Sequence, residues 1–177
     1  PSPLKLLVVG GSLGAQILNE TVPRALALLE RPFAVRHQCG RDNETATIAA
    51  YQNENLAAHE YKVQPFIDDM AAAYNWADII VCRAGALTVT EIQNVGVAAI
   101  FVPLPQAVDD HQTANARTLT EHGAAILLPQ PELTPQRLSD ELDKLDRSSC
   151  LQMAKKGHAL ANRGSSQQVA EIIWHAL

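Results

Sequence analysis

The feature that most constrains this chain is an apolar run that stops at glycine and is followed at once by helical spacing. Leu4 to Val9 reads as a buried parallel strand, and Gly10-Gly11 ends it. From Ala15 to Leu29 the apolar residues Leu18, Val22, Ala25, Leu26 and Leu29 recur at the spacing of one helix face. A strand, a tight glycine turn and a helix in that order are the first half of a parallel crossover unit.

The unit repeats along the chain. Phe33 to Cys39 is a second strand, closed by Gly40; Glu44 to Asn53 is helix-like, and Glu60 to Gln64 is a third strand. Met70 to Trp76 reads as a short helix and Ile79 to Cys82 as a fourth strand. Ala86 to Val95, Gln112 to Glu121 and Pro135 to about Leu145 read as helices, the last capped by Thr134. Ala98 to Val102 and Ala124 to Leu128 supply two further strands, and helices at Leu151 to Ala161 and Ser166 to His175 finish the chain. The expected fold is α/β, a doubly wound parallel sheet of about six strands. Ligands of such sheets sit beyond the carboxyl ends of the strands, in the loops that enter the helices.

Composition narrows the class. A net charge of -5 gives no general attraction to nucleic acid or to an anionic membrane. No apolar stretch approaches the roughly 20 residues of a membrane helix, and the start lacks a signal peptide pattern. Cys39, Cys82 and Cys150 are odd in number and form no paired motif, which points to a reducing, cytoplasmic setting. The opening Pro-Ser-Pro, with no initiator methionine, reads as a linker cut before a domain, so a fragment is expected.

Three loops carry chemistry. In Gly10-Gly11-Ser12-Leu13-Gly14-Ala15 the glycines let the backbone approach a ligand, and the helix start offers N–H groups and a positive dipole end. A phosphate suits it, with the Ser12 hydroxyl as a further donor; a tight turn that merely needs glycine is the competing reading. No Gly-Lys-Ser/Thr follows, and Ser12 and Ala15 fill glycine positions of the dinucleotide fingerprint. In Arg83 to Glu91 a Gly-Ala turn enters a helix whose first N–H groups, Ala86 to Thr88, suit a diphosphate. The Glu91 carboxylate can accept both hydroxyls of a ribose, or stand as a solvated acid on the helix dipole. In Pro103 to Asn115 the cluster His111, Gln112 and Asn115 suits the hydroxyls of a sugar ring. Asp109-Asp110-His111 reads as a solvated loop and helix cap rather than a metal site.

Together these loops, with Phe66-Ile67-Asp68-Asp69-Met70, resemble the carboxyl-terminal domain of the MurG family, transferases of UDP-N-acetylglucosamine to the lipid-linked peptidoglycan precursor. The likeness covers most of the chain up to Asn115, and the combination is specific where no single piece is. It implies one half of a GT-B enzyme: residues 1–177 as the donor-binding domain, with the amino-terminal acceptor domain absent. It further implies that the main chain at Ile67 reads the uracil and Glu91 the ribose. Ser12, the glycines Gly10, Gly11 and Gly14, and the helix start Ala86-Leu87-Thr88-Val89-Thr90 would hold the diphosphate. Gln112 and Asn115 would contact the N-acetylglucosamine. No catalytic residue, metal or cofactor is expected in this half, the base lying in the absent domain, and the isolated chain should transfer nothing. The whole enzyme would sit peripherally on the cytoplasmic face of the bacterial inner membrane, held there mainly by the absent domain, which would also receive the lipid-linked acceptor. Another GT-B transferase using a different UDP-sugar, a non-catalytic UDP-sugar module acting with a partner chain and, more distantly, a nicotinamide-dependent dehydrogenase remain as alternatives.

Overall fold

The computed structural model describes residues 2–105 and 109–175, with side chains through residue 161. Six strands form one parallel sheet: β1 (Leu4–Val9), β2 (Phe33–Gln38), β3 (Glu60–Gln64), β4 (Ile79–Cys82), β5 (Ala98–Phe101) and β6 (Ile126–Leu127). Their order across the sheet is β3-β2-β1-β4-β5-β6, and every neighbouring pair is parallel. The helices are α1 (Gln16–Leu26), α2 (Glu44–Gln52), α3 (Met70–Trp76), α4 (Ala86–Val95), α5 (His111–Thr120), α6 (Pro135–Asp143) and α7 (Arg147–His175). The doubly wound fold read from the sequence is the one observed.

Strand alternation divides the core in two. Leu4, Leu6 and Val8 of β1 join Phe33, Val35, Ile79 and Ile100 under α1, α2 and α6. Leu7, Ile80, Cys82, Ala99 and Phe101 face the other way, against α3, α4 and α5. Burying each of these larger side chains contributes about 1.5–3 kcal/mol, so the sheet is fixed from both faces. No residue of β2 or β3 enters the second cluster, and that face of the edge strand β3 and its neighbour β2 is left outside the apolar core.

The two final helices expected from the sequence are one continuous helix, α7. Gly164 lies between them, but a single glycine in a helix interior costs only about 1 kcal/mol relative to alanine, and no proline is present to stop the ladder. The side chains of α7 beyond residue 161, those of Ile173 and Trp174 among them, lie outside the described residues. A short 3-10 turn at Gln130–Glu132, which the sequence did not signal, follows β6. The three cysteines are free and buried, and burial pushes the thiols of Cys82 and Cys150 up to about 12 and about 11.

Candidate functional site

The sheet order reverses direction between β1 and β4, and that is where two loops open a crevice. Val9 pairs with Cys82, so the turns after β1 and β4 leave the sheet side by side. Their helices then go to opposite faces, α1 into the first core cluster and α4 into the second. This is the topological switch point at which open α/β sheets bind ligands.

The loop after β1 is built by close backbone packing. A Cβ on Gly14, whose φ is +77°, would lie 2.0 Å from the Cys39 carbonyl oxygen; one on Gly40, φ +89°, would lie 2.3 Å from the Gly14 nitrogen. These two glycines let the turns after β1 and β2 press against each other. Gly11, φ +86°, has nothing within 4 Å of its would-be Cβ and is open to a ligand. Buried Gln38 locks the arrangement. Its Nε2 donates to the carbonyls of Gly11 (2.7 Å) and Pro65 (3.0 Å), and its Oε1 accepts from the Gly11 N–H (3.2 Å). Arg41 N–H donates to the Ser12 carbonyl at 3.2 Å, while the Ser12 hydroxyl has no partner among the described residues. Helix α1 begins with no side-chain cap, and the N–H groups of Gln16 and Ile17 find no acceptor among the described residues. Leu13, at the tip, is 84% exposed, the most exposed of the large apolar side chains among the described residues.

Behind this loop lies a neutral polar network. His37 Nε2 meets Asn19 Oδ1 and its Nδ1 meets the Tyr51 hydroxyl, each at 2.9 Å, and Asn19 Nδ2 donates to the Cys39 carbonyl at 3.0 Å. Burial holds the His37 pKa down to about 3, so the ring stays uncharged and bolts α1 to β2.

The loop after β4 enters α4 through Gly85, again with no side-chain cap. The N–H groups of Ala86, Leu87 and Thr88 have no acceptor among the described residues, and Leu87 is 72% exposed. Two members of the expected donor set are engaged elsewhere. The Val89 N–H donates to the Gly85 carbonyl at 3.0 Å with its side chain buried, and the Thr90 hydroxyl donates to Ala86 at 2.9 Å. An anion here therefore meets three free N–H groups, from residues 86–88. Glu91, one turn on, accepts a hydrogen bond from the Tyr74 hydroxyl at 3.0 Å. Tyr74 is itself buried, and burial together with Glu91 pushes its hydroxyl pKa well above the usual range, so it remains a donor. The carboxylate is thus held in place by α3.

Helix α3 has a second tie to the crevice. Asp69 caps it by accepting from the Ala72 N–H at 2.8 Å, and the preceding turn carries Ile67. The Ile67 side chain is buried, while its main chain makes no hydrogen bond among the described residues.

The two amides of α5 hold the loop after β4. Gln112 Oε1 accepts from the Ala84 N–H (3.2 Å) and the Leu104 N–H (2.9 Å), and Asn115 Nδ2 donates to the Ala84 carbonyl (3.0 Å). Both backbone polar groups of Ala84 are pinned, which leaves the Gln112 NH₂ as donor and the Asn115 oxygen as acceptor. Asp110 is the cap of α5, accepting from the Thr113 N–H at 3.2 Å, and Asp109 lies 3.6 Å from exposed His111. Residues 106–108 of this loop lie outside the described residues. Arg83 donates to the carbonyls of Val102 and Pro103 and to Gln130 at 2.7 Å, tying the turns after β4, β5 and β6 together.

Three of these side chains, Gln38, Tyr74 and Arg83, and the glycine at position 40 (Gly40) are not signalled as site-builders by the sequence. Gly40 alone left a hint, a glycine closing β2 as Gly10 closes β1.

The comparisons with known proteins give the family and the fold. The family model of the glycosyltransferase family 28 C-terminal domain matches residues 5–172. A protein of Psychrobacter arcticus named UDP-N-acetylglucosamine--N-acetylmuramyl-(pentapeptide) pyrophosphoryl-undecaprenol N-acetylglucosamine transferase is 81% identical over 176 residues, which is 99% of this chain and 49% of that protein. The transferase of the same name from Aeromonas hydrophila is 54% identical over 96% of this chain and 46% of its own length. The crystal structure of Acinetobacter baumannii MurG superposes with a TM-score of 0.85 at 52% identity, covering 89% of this chain and 46% of that one. The chain spans about half the length of the curated relatives it matches.

Proposed function

The chain belongs to the glycosyltransferase family 28 C-terminal domain, and from that premise we propose that it binds UDP-N-acetylglucosamine as the donor half of an inverting transferase. The whole enzyme would add N-acetylglucosamine to the lipid-linked muramyl-pentapeptide precursor named in its relatives. The observation that carries the reading is the entry to α4, an uncapped helix start with a held carboxylate one turn along, at the switch point of the sheet.

On this reading the diphosphate lies between the starts of α1 and α4, against the Gly10-Gly11 turn and the Ser12 hydroxyl. The free N–H groups and both helix dipoles face it. The ribose diol donates to Glu91, and the uracil edge meets the main chain of Ile67. Gln112 and Asn115 contribute one donor group and one acceptor to the sugar hydroxyls.

In the reaction the acceptor's 4-hydroxyl attacks the anomeric carbon as the bond to the β-phosphate oxygen breaks. Negative charge accumulates on the departing UDP, and fixed N–H dipoles stabilise it without reorganising. The base that takes the acceptor proton belongs to the other half of the enzyme, residues 1–177 being the donor domain. That other half also receives the lipid-linked acceptor and gives the whole protein its hold on the cytoplasmic face of the membrane. Among the described residues no helix is long and apolar enough to cross a membrane.

Calorimetric titration with UDP, UDP-N-acetylglucosamine, UDP-N-acetylgalactosamine and NADH tests the reading. Binding of the first two, weaker binding of the galactose epimer and none of NADH is expected. Tight NADH binding, or transfer to a muramyl acceptor by this chain alone, would overturn it.

A further inference from the structure

The uncovered face of β2 and β3 forms a groove of about 430 Å³ on the opposite side of the sheet from α1. It is lined by Lys5, Arg36, Lys62, Trp76 and the chain start at Ser2 and Pro3. Lys5 is the second residue of β1, so the groove lies toward the amino ends of the strands, away from the donor crevice. We propose that this groove binds a small, multiply charged phosphate compound from solution.

Three observations carry the proposal. First, the cations are concentrated and unpaired. Arg36 and Lys62 are directly opposite in the β2–β3 register, and like charges so placed destabilise a sheet. Neither they nor the Lys5 ammonium has a carboxylate within 4.0 Å or a side-chain hydrogen bond among the described residues, in a chain whose net charge is -5. The one acid in the lining, Glu60, pairs with none of them. Second, Arg36 is pre-oriented. Its guanidinium stacks on the Trp76 ring with Cζ 4.2 Å from the centroid, and Lys5 Nζ lies 5.9 Å from the same ring. A stacked guanidinium keeps its N–H edge free, and that edge matches two oxygens of a phosphate. Third, the wall is fixed. Arg147 donates to the carbonyls of Ser2 (3.2 Å) and Pro3 (2.8 Å) and pairs with Asp78, which accepts from the Lys5 N–H at 2.9 Å.

Protection of an exposed sheet edge from unwanted pairing would account for Lys62 on β3. It does not account for Arg36 and Lys5, which are half-buried on the interior strands β2 and β1. The concave, walled shape favours a soluble anion over the flat surface of a bilayer.

Only two tryptophans occur in the sequence, so a Trp174→Phe background leaves Trp76 as the sole indole reporter. Titration of that protein with tripolyphosphate at 0.15 M salt should give a saturable, one-site change in fluorescence. Arg36→Gln should weaken it by about tenfold or more and Lys62→Gln, at the exposed edge, by a few-fold, the loss expected for charge-assisted contacts. Ser12→Ala, which removes a donor from the turn proposed for the nucleotide's phosphates, should leave it unchanged, which separates this groove from the donor crevice. A response that does not saturate, or that is equal in Lys62→Gln and Arg36→Gln, overturns the proposal. So does binding to phosphatidylglycerol vesicles with no response to tripolyphosphate.

Discussion

The turns after β1 and β4 look alike in sequence, each a strand running through glycine into an uncapped helix, yet their glycines do different things. Gly14 is consumed by packing, its would-be Cβ falling on the Cys39 carbonyl at 2.0 Å. Gly85, with ordinary φ of −61°, has only the Thr88 hydroxyl nearby, at 3.9 Å. A glycine in a strand-to-helix turn is therefore no evidence of a ligand by itself. What the two turns share is a set of helix-start N–H groups without acceptors, and that is what makes both of them candidates for the same anion.

The largest expected effect breaks this comparison outright. Gly14→Ala or Gly40→Ala should cost about 3 kcal/mol or more of folding stability, from overpacking added to a positive φ. Gly85→Ala should change stability by less than about 1 kcal/mol. Chemical denaturation of the three variants measures the contrast, and equal losses would erase the distinction drawn between the turns.

Next in size is Glu91→Ala, expected to weaken UDP binding by about 2–3 kcal/mol while the protein stays folded, because the ribose loses a charged acceptor. Calorimetry on UDP and on 2′-deoxy-UDP sharpens it, since the variant should no longer distinguish them well. Tyr74→Phe should give a smaller loss in the same direction, about 1 kcal/mol, by releasing the carboxylate from its hold.

Acid probes the support of the first turn. Burial lowers the pKa of His37 to about 3 and also lowers that of His59. The unfolded chain therefore binds protons that the folded one refuses. The stability these neutral rings provide is fully present above about pH 6.5 and is lost as pH falls toward 3, at up to about 1.4 kcal/mol per pH unit for each proton. Melting temperatures between pH 7 and 4 should fall, and His37→Gln should flatten that slope.

The smallest effect concerns the sugar. Gln112→Glu keeps an acceptor for the N–H groups of Ala84 and Leu104 but removes the outward donor. Affinity for UDP-N-acetylglucosamine should fall by about 1 kcal/mol with that for UDP unchanged. A matching loss for UDP would mean that the residue serves only the loop.

The fold was readable because strand runs and helix faces are local patterns, and five of the six strands lie within a residue or so of where hydrophobicity put them. The exception is β6, which keeps only Ile126 and Leu127 of the run from Ala124 to Leu128. Chain-local evidence failed where partners are distant. Nothing around Tyr74 announces that its hydroxyl will meet a carboxylate 17 residues on. Nor does the spacing of Gln112 and Asn115 reveal that each spends half its amide on Ala84, about 30 residues earlier. Sequence can nominate polar residues for a crevice; how many of their hydrogen-bonding atoms remain for a guest depends on the tertiary neighbours.

The side chain of Gln38 has one more meaning. By gripping Gly11 and Pro65 at once it joins the turn proposed for the phosphates to the turn that leads into Ile67. The span between those stations is therefore set when the chain folds, before any nucleotide arrives. Under the proposed binding mode the domain would act as a gauge: a nucleotide would be measured by the length between its base and its phosphates as well as by the identity of either end.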